Sequence, residues 1–218
     1  MEYSIELNQV TKRFKETVAL NNVTVKFEKG KIHGVIGRNG SGKTVLFKCI
    51  CGLLPITEGE LVVMGTHYGD GKKVPPKLGA IIETPGFLPN LSGFRNLYYL
   101  MQLSGQSNDD TIRNSMKLVG LDPDNKKAVG KYSLGMRQRL SLAQAIMEDP
   151  DLLILDEPMN GLDKNGVTEI RELLLSLKQQ GKTILIASHN PEDTRILCDT
   201  LHEMDAGKLL PSTLRSME

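Results

Sequence analysis

Short apolar runs closed by glycine or by a carboxylate alternate along the chain with stretches of helical periodicity. The opening third is strand-like: residues 5–10 and 18–27 alternate apolar with polar positions, and Glu28-Lys29-Gly30 closes the second run. A continuous apolar run follows over 31–37, then a glycine-rich turn, then a helix expected over 42–54 and stopped before Pro55. Further strands are expected over 59–64 and 77–82, joined by the turn-forming GDGKKVPPK. From Thr84 to Pro150 the period changes. Phe94, Leu97, Tyr98 and Met101 recur at helical spacing, as do Ile112, Met116 and Val119, and then Leu140, Ala143, Ile146 and Met147. Strands return over 151–155 and 183–187, separated by a helix near 163–180. A small hairpin is expected over 201–210 around Asp205-Ala206-Gly207.

This order argues an α/β fold with ligand at the carboxyl ends of the strands. It is read as one domain over 1–218, with 1–83 and 151–218 as the core and 84–150 as a helical insert.

The chemistry falls at those strand ends. Gly37-Arg38-Asn39-Gly40-Ser41-Gly42-Lys43-Thr44 fits G-x-x-x-x-G-K-[ST] between a strand and a helix. Its glycines let backbone N–H groups converge on a phosphate at a helix N-terminus, Lys43 adds a point charge, and the Thr44 hydroxyl suits Mg²⁺. The run DLLILDE delivers Asp156 where a magnesium ligand is needed and Glu157 where a water must be polarised. Ala187-Ser188-His189 ends the next strand, so His189 emerges on the same edge. His33, His67 and His202 have no such placement and receive no role. Before another helix, Ser133 is a good N-cap and Gly135 leaves N–H groups open, making a second helix start suited to an anion.

Composition bounds the rest. Among 218 residues, 27 Lys and Arg face 26 Asp and Glu, a net charge of +1, so no global field argues for nucleic acid or an anionic membrane. The N-terminus lacks a continuous apolar signal region, and no apolar run approaches the roughly 20 residues that span a bilayer. A membrane role would come through a partner. The three cysteines are expected as buried thiols, Cys49 and Cys51 diverging on a helix.

Jointly, GRNGSGKT, YSLGMRQR, LLILDE, the NGLD of Asn160 to Asp163 and the histidine of ASH resemble the ATP-binding cassette (ABC) ATPases over nearly the whole chain. The resemblance implies a P-loop NTPase (RecA-like) core with an N-terminal antiparallel β subdomain and an inserted helical subdomain carrying the signature. It implies ATP and Mg²⁺, and a head-to-tail dimer in which one chain's cradle and the other's signature close on the same ATP. Phe14 would stack on adenine, with Val18 nearby. Lys43, Thr44 and Val45 would lie along the phosphates, Glu157 would be the general base, and His189 would contact the γ-phosphate. Ser133, Gly135 and Met136 would reach the partner's ATP, and Asp163 would communicate across the dimer. The family signature usually reads Leu-Ser-Gly-Gly-Gln, so Leu134 and Met136 replace a glycine and the glutamine. Val45 stands where a second threonine is common.

The stretch AIIETPGF delivers Glu83 where most of the family has a glutamine near Mg²⁺. With LGAIIETPGFLPNLSGFRNL it resembles the branch that protects bacteria from bacitracin and lantibiotics, implying a metal-facing Glu83 and peptide-antibiotic transport. The region 84–100, with Pro85, Gly86, Phe87, Leu91, Tyr98 and Tyr99, would either receive a permease helix or pack the insert's own core. The chain would then sit in the cytoplasm, peripheral on the membrane's inner face. Rival readings separate on sequence: a GTPase needs Asn-Lys-x-Asp, and Asn125-Lys126-Lys127-Ala128 lacks the acid. A DNA-repair or translation ATPase of the same fold would keep the ATP motifs, usually with coiled-coil insertions or two cassettes. A binding module without turnover is weakened by the intact Glu157 and His189.

Overall fold

The computed structural model describes residues 2–68, 75, 77–83, 86–105 and 108–210, and the backbone of 213–214. Two long strands, β1 (Tyr3–Phe14) and β2 (Thr17–Glu28), open the chain; β3 (Ile32–Ile36) follows and leads through the glycine turn into α1 (Lys43–Ile50). Next come β4 (Glu58–Val63), β5 (Thr66–Tyr68) and β6 (Leu78–Ile81), then three helices, α2 (Gly93–Leu103), α3 (Asp109–Leu118) and α4 (Leu134–Ile146). The last part runs β7 (Leu152–Asp156), α5 (Lys164–Gln179), β8 (Thr183–Ala187), α6 (Pro191–Leu197), β9 (Thr200–Asp205), β10 (Lys208–Leu209) and β11 (Thr213–Leu214).

An antiparallel sheet of order β2-β1-β4-β5 stands beside a larger sheet of order β10-β9-β3-β8-β7-β6. In the larger sheet β9, β3, β8, β7 and β6 are parallel. Parallel strands are covered on both faces, and β7 and β8 show it in alternate positions. Leu153, Leu155, Ile184 and Ile186 join the core shared with α2–α5, while Leu152, Ile154, Leu185 and Ala187 join the one under α1 and the antiparallel sheet. Register then fixes the active edge: Val35 pairs with Ala187, Ala187 with Asp156, and Leu155 with Ile81. The ends of β3, β8, β7 and β6 are therefore level.

Three expectations shift. The first strand continues past Val10 to Phe14 through bulges, because Lys12 turns inward and donates to the Pro55 carbonyl at 2.6 Å. The helix after the glycine turn ends at Ile50 rather than at residue 54, stopped by Gly52 in the left-handed region (φ 71°) before Pro55 can act. Helix α6 was not anticipated, although Asn190 caps it, Pro191 opens it and Glu192 and Asp193 occupy its first turn. The hairpin around 205–207 forms as expected, turning on Ala206 and Gly207. Cys49 and Cys51 are buried, which pushes their thiols up to about 11 and about 12. Most of the 69–77 loop, with Thr84 and Pro85, lies outside the described residues.

His33 and His202, given no role above, form a buried pair against the edge of Phe27. His33 donates from Nε2 to the Glu28 carbonyl at 2.9 Å, and both rings share the Thr200 hydroxyl, at 2.6 and 3.1 Å. Burial holds both below the ordinary histidine value, His202 at about 4.

Candidate active site

A cavity of about 770 Å³ opens at the level strand ends. Its walls come from Val18 on β2, the glycine turn, Glu83 after β6, the start of α4 and the Ala206-Gly207 turn. The floor is the loop between β3 and α1. Gly37 (φ 150°) and Gly42 (φ 112°) cannot be replaced without collision: a Cβ on Gly37 would lie 2.2 Å from the Met204 carbonyl, and one on Gly42 2.7 Å from the Ala19 carbonyl. Gly42 is the N-cap of α1, and no side chain caps that helix, so its first N–H groups stay open toward the loop. Lys43 Nζ donates to the carbonyls of Gly37 and Arg38 at 2.7 and 3.1 Å, which places its charge inside the curl. Beside it the Ser41 hydroxyl is the buried side-chain group without a hydrogen-bond partner among the described residues. An orphaned donor in a ring of N–H groups and one ammonium fits a phosphate.

Across the cavity, Thr44 Oγ1 donates to Asp156 Oδ2 at 2.8 Å. A hydroxyl and a carboxylate in contact beside a phosphate cradle are the hard oxygen set that Mg²⁺ prefers. Glu157, the next residue, adopts a left-handed backbone (φ 52°), unfavourable for a non-glycine residue. Three contacts hold it there. Its N–H donates to the Ala187 carbonyl at 3.0 Å, its carbonyl accepts from the Asn160 N–H at 3.1 Å, and Gln138 Nε2 reaches the carbonyls of Glu157 and Pro158 at 3.3 and 3.0 Å. Its carboxylate meets His189 Nδ1 at 2.8 Å. Glu83 also has a left-handed backbone (φ 61°) and pairs through Oε1 with Lys48 Nζ at 2.7 Å.

A match to the ABC transporter family model covers residues 20–160, from β2 to the loop after Glu157. This chain belongs to the ABC transporter ATPase family. The ABC ATPase is 43% identical over 205 residues to the uncharacterized ABC transporter ATP-binding protein YybJ of Bacillus subtilis, covering 94% of each chain. It is 42% identical to the bacitracin transport ATP-binding protein BcrA of Enterococcus faecalis, over 96% of this chain and 69% of that one. To the lantibiotic transport ATP-binding protein SrtF of Streptococcus pyogenes it is 36% identical, over 94% and 89%. Its fold matches the ATP-binding cassette MJ0796, solved as a dimer in a post-hydrolysis state with ADP and Pi, at TM-score 0.87, 22% identity and 98% of this chain covered. A nucleotide-free cassette from an ABC transporter matches at TM-score 0.87 and 23% identity over 99%. The sequence reading of an ABC-type P-loop ATPase therefore holds.

Within the ABC ATPase the expected site residues divide. Val18, Asn39, Gly40, Gly42, Lys43, Thr44, Val45, Glu83, Asp156 and Glu157 line the cavity. Phe14 does not; it stands 43% exposed with the Lys12 ammonium 4.9 Å over its ring. Of the signature segment, Leu134, Arg137 and Gln138 line the cavity, whereas Ser133 accepts from the Met136 N–H at 3.1 Å as the N-cap of α4 and Met136 packs on the core. Leu134 lies over Gly161, where a Cβ would come within 2.4 Å of its Cγ, so the NGLD turn is shaped around the residue that replaces the usual glycine. Asp163 caps α5, accepting from the Gly166 N–H at 2.8 Å. Sequence reading missed Lys48 and Gln138. It also missed Thr17, Ala19 and Gly207 in the cavity wall, which carry no side-chain signal of their own.

Proposed function

We propose that two copies of this chain, aligned head to tail, hydrolyse ATP with Mg²⁺ and drive a separate membrane permease that moves peptide antibiotics of the bacitracin or lantibiotic class. The catalytic part rests on one observation: phosphate cradle, Thr44–Asp156 and Glu157–His189 converge where four parallel strands end in register. The N–H groups of residues 37–44 and Lys43 bind and orient the phosphates, and Ser41 gains the partner it lacks. Thr44, Asp156 and Glu83 would hold Mg²⁺, which supplies charge neutralisation on the phosphate oxygens when bound. Glu157 takes a proton from the attacking water, whose oxygen bonds to the γ-phosphorus as the bond to the β-phosphate oxygen breaks, giving ADP and phosphate. His189 fixes the Glu157 carboxylate and contacts the γ-phosphate. Phe14 and Val18 take the adenine, while Ser133 and Gly135 of the other copy, with Asp163 at the seam, complete the site.

The transport part is supported by the bacitracin and lantibiotic relatives and by Glu83, the branch's residue at that position. The division into a core of 1–83 and 151–218 and a helical subdomain of 84–150 assigns permease contact to the latter. There Leu88 and Tyr99 are exposed, Phe94 and Tyr98 stack at 6.4 Å, and Phe87 packs inward, so the segment serves both surface and core. Among the described residues no helix is long and apolar enough to cross a membrane, consistent with a peripheral subunit on the inner face. Glu157→Gln is expected to slow hydrolysis by roughly two to four orders of magnitude while ATP still binds. Undiminished turnover would remove Glu157 from the mechanism.

A further inference from the structure

His189 meets the Glu157 carboxylate through Nδ1 at 2.8 Å, yet its side chain is 78% exposed. What fixes it lies underneath. The Ser188 hydroxyl is buried and donates to Asp193 Oδ2 at 3.0 Å while accepting from the Asn190 N–H at 3.1 Å. One hydroxyl thus ties the chain on both sides of His189. Asp193 in turn is only 3% exposed, and its other oxygen accepts from Arg171 Nε and Nη2 at 2.9 and 2.6 Å. Arg171, on α5, is itself 11% exposed and also reaches Glu192 at 3.1 Å.

Arg171 places two N–H donors on one oxygen of this buried carboxylate while the serine hydroxyl takes the other, and an acceptor paired with a guanidinium orients a hydroxyl more strongly than a neutral one. A hydroxyl so oriented leaves its lone pair toward the Asn190 N–H, so both bonds act on the loop together.

We propose that Arg171, Asp193 and Ser188 are positioning residues for His189, delivering its imidazole to the Glu157 carboxylate from a buried ionic anchor on α5. This rests on the reading of His189 as part of the hydrolytic site. The network spans two helices and a strand end, so it also joins α5, whose N-cap is Asp163, to the loop that faces the γ-phosphate.

The test measures steady-state ATP hydrolysis and the thermal midpoint of the full chain for Ser188→Ala, Ser188→Thr, His189→Ala and the double Ser188→Ala/His189→Ala variant. Ser188→Ala leaves the Arg171–Asp193 pair intact and is expected to lower kcat roughly 10- to 100-fold, the scale of an ångström-sized misplacement, with KM within about twofold. Ser188→Thr, which keeps a hydroxyl, is expected to recover most of the loss. The double variant is expected to be no slower than His189→Ala. Wild-type kcat in Ser188→Ala, or losses that multiply in the double variant, would overturn the positioning role while leaving His189 in the mechanism. Undiminished turnover in His189→Ala would instead remove His189, and the positioning role with it.

Discussion

The chain contains two helix starts that its sequence marks as suited to an anion, and they are finished differently. At α1 the N-cap is Gly42, left-handed and without a side-chain cap, and the surrounding loop holds a lysine and an unpartnered serine. At α4 the N-cap is Ser133, whose own hydroxyl accepts from the Met136 N–H. The first is incomplete until a ligand arrives. The second is complete as a helix terminus, so a ligand there must compete with a bond already made or use N–H groups beyond it. That contrast matches the proposed division of labour, in which α1 holds the chain's own ATP and α4 closes late on a partner's.

Of the two starts, the open one gives the larger expected effect when it is filled. Gly42→Ala puts a Cβ 2.7 Å from the Ala19 carbonyl at a φ of 112°. Strain of this kind costs on the order of 1–3 kcal/mol per residue, so ATP affinity is expected to fall about 5- to 150-fold by equilibrium titration. Unchanged affinity would mean that the loop does not need its observed conformation to bind.

The capped start separates through two substitutions. Ser133→Ala is expected to destabilise the fold by about 0.5–2 kcal/mol, whereas Ser133→Gly costs only a few tenths. Hydrolysis should fall in both, since both lose the hydroxyl. If activity instead tracks stability, and the glycine variant works normally, Ser133 is a cap and nothing more.

Acid sharpens the comparison from the sheet side. His33 sits on β3, the strand that feeds the open start, and with His202 it is held neutral in the folded protein. Their folded values lie below the unfolded value near 6.5, so the unfolded chain takes up protons first as pH falls. This stability is present above about 6.5 and is lost as pH drops from there, for His202 toward about 4. For His202 alone the cost between pH 7 and pH 6 is about 0.7 kcal/mol, a fall of roughly 1–3 °C in Tm by calorimetry, and His33 adds to it in the same direction. Replacing both histidines by residues that do not titrate should flatten this slope.

How much of this was legible in the sequence follows from the physics of each feature. Parallel strands buried on both faces show as largely apolar runs, so β3, β7 and β8, and the Asp156-Glu157 pair at the end of β7, could be read directly. Glycine at Gly37 and Gly42 is a backbone requirement and therefore a residue-type signal. The course of β1 beyond Val10 was hidden because its inward residues there, Thr11 and Lys12, are polar and satisfied by bonds to distant chain. The support beneath the site was hidden for the same reason: Lys48, Gln138, Arg171 and Asp193 are ordinary helix-surface residues by sequence, and tertiary packing alone gives them partners.

The smallest expected effect concerns Glu83. Its exposed pair with Lys48 contributes at most about 1 kcal/mol to stability, because solvent screens both charges. Losing it in Glu83→Gln should leave Tm within a few degrees. Glu83, however, lines the same cavity as Thr44 and Asp156, one turn of α1 separating Lys48 from Thr44. A carboxylate binds Mg²⁺ more strongly than an amide, but here it must first leave an ammonium, and the two terms oppose each other. Glu83→Gln is therefore expected to keep substantial hydrolysis while shifting the Mg²⁺ concentration for half-maximal activity upward. Lys48→Met should shift it downward only while Glu83 is present. Superimposable Mg²⁺ titrations for wild type and Glu83→Gln would show that the carboxylate serves the Lys48 pair alone, leaving the metal to Thr44 and Asp156.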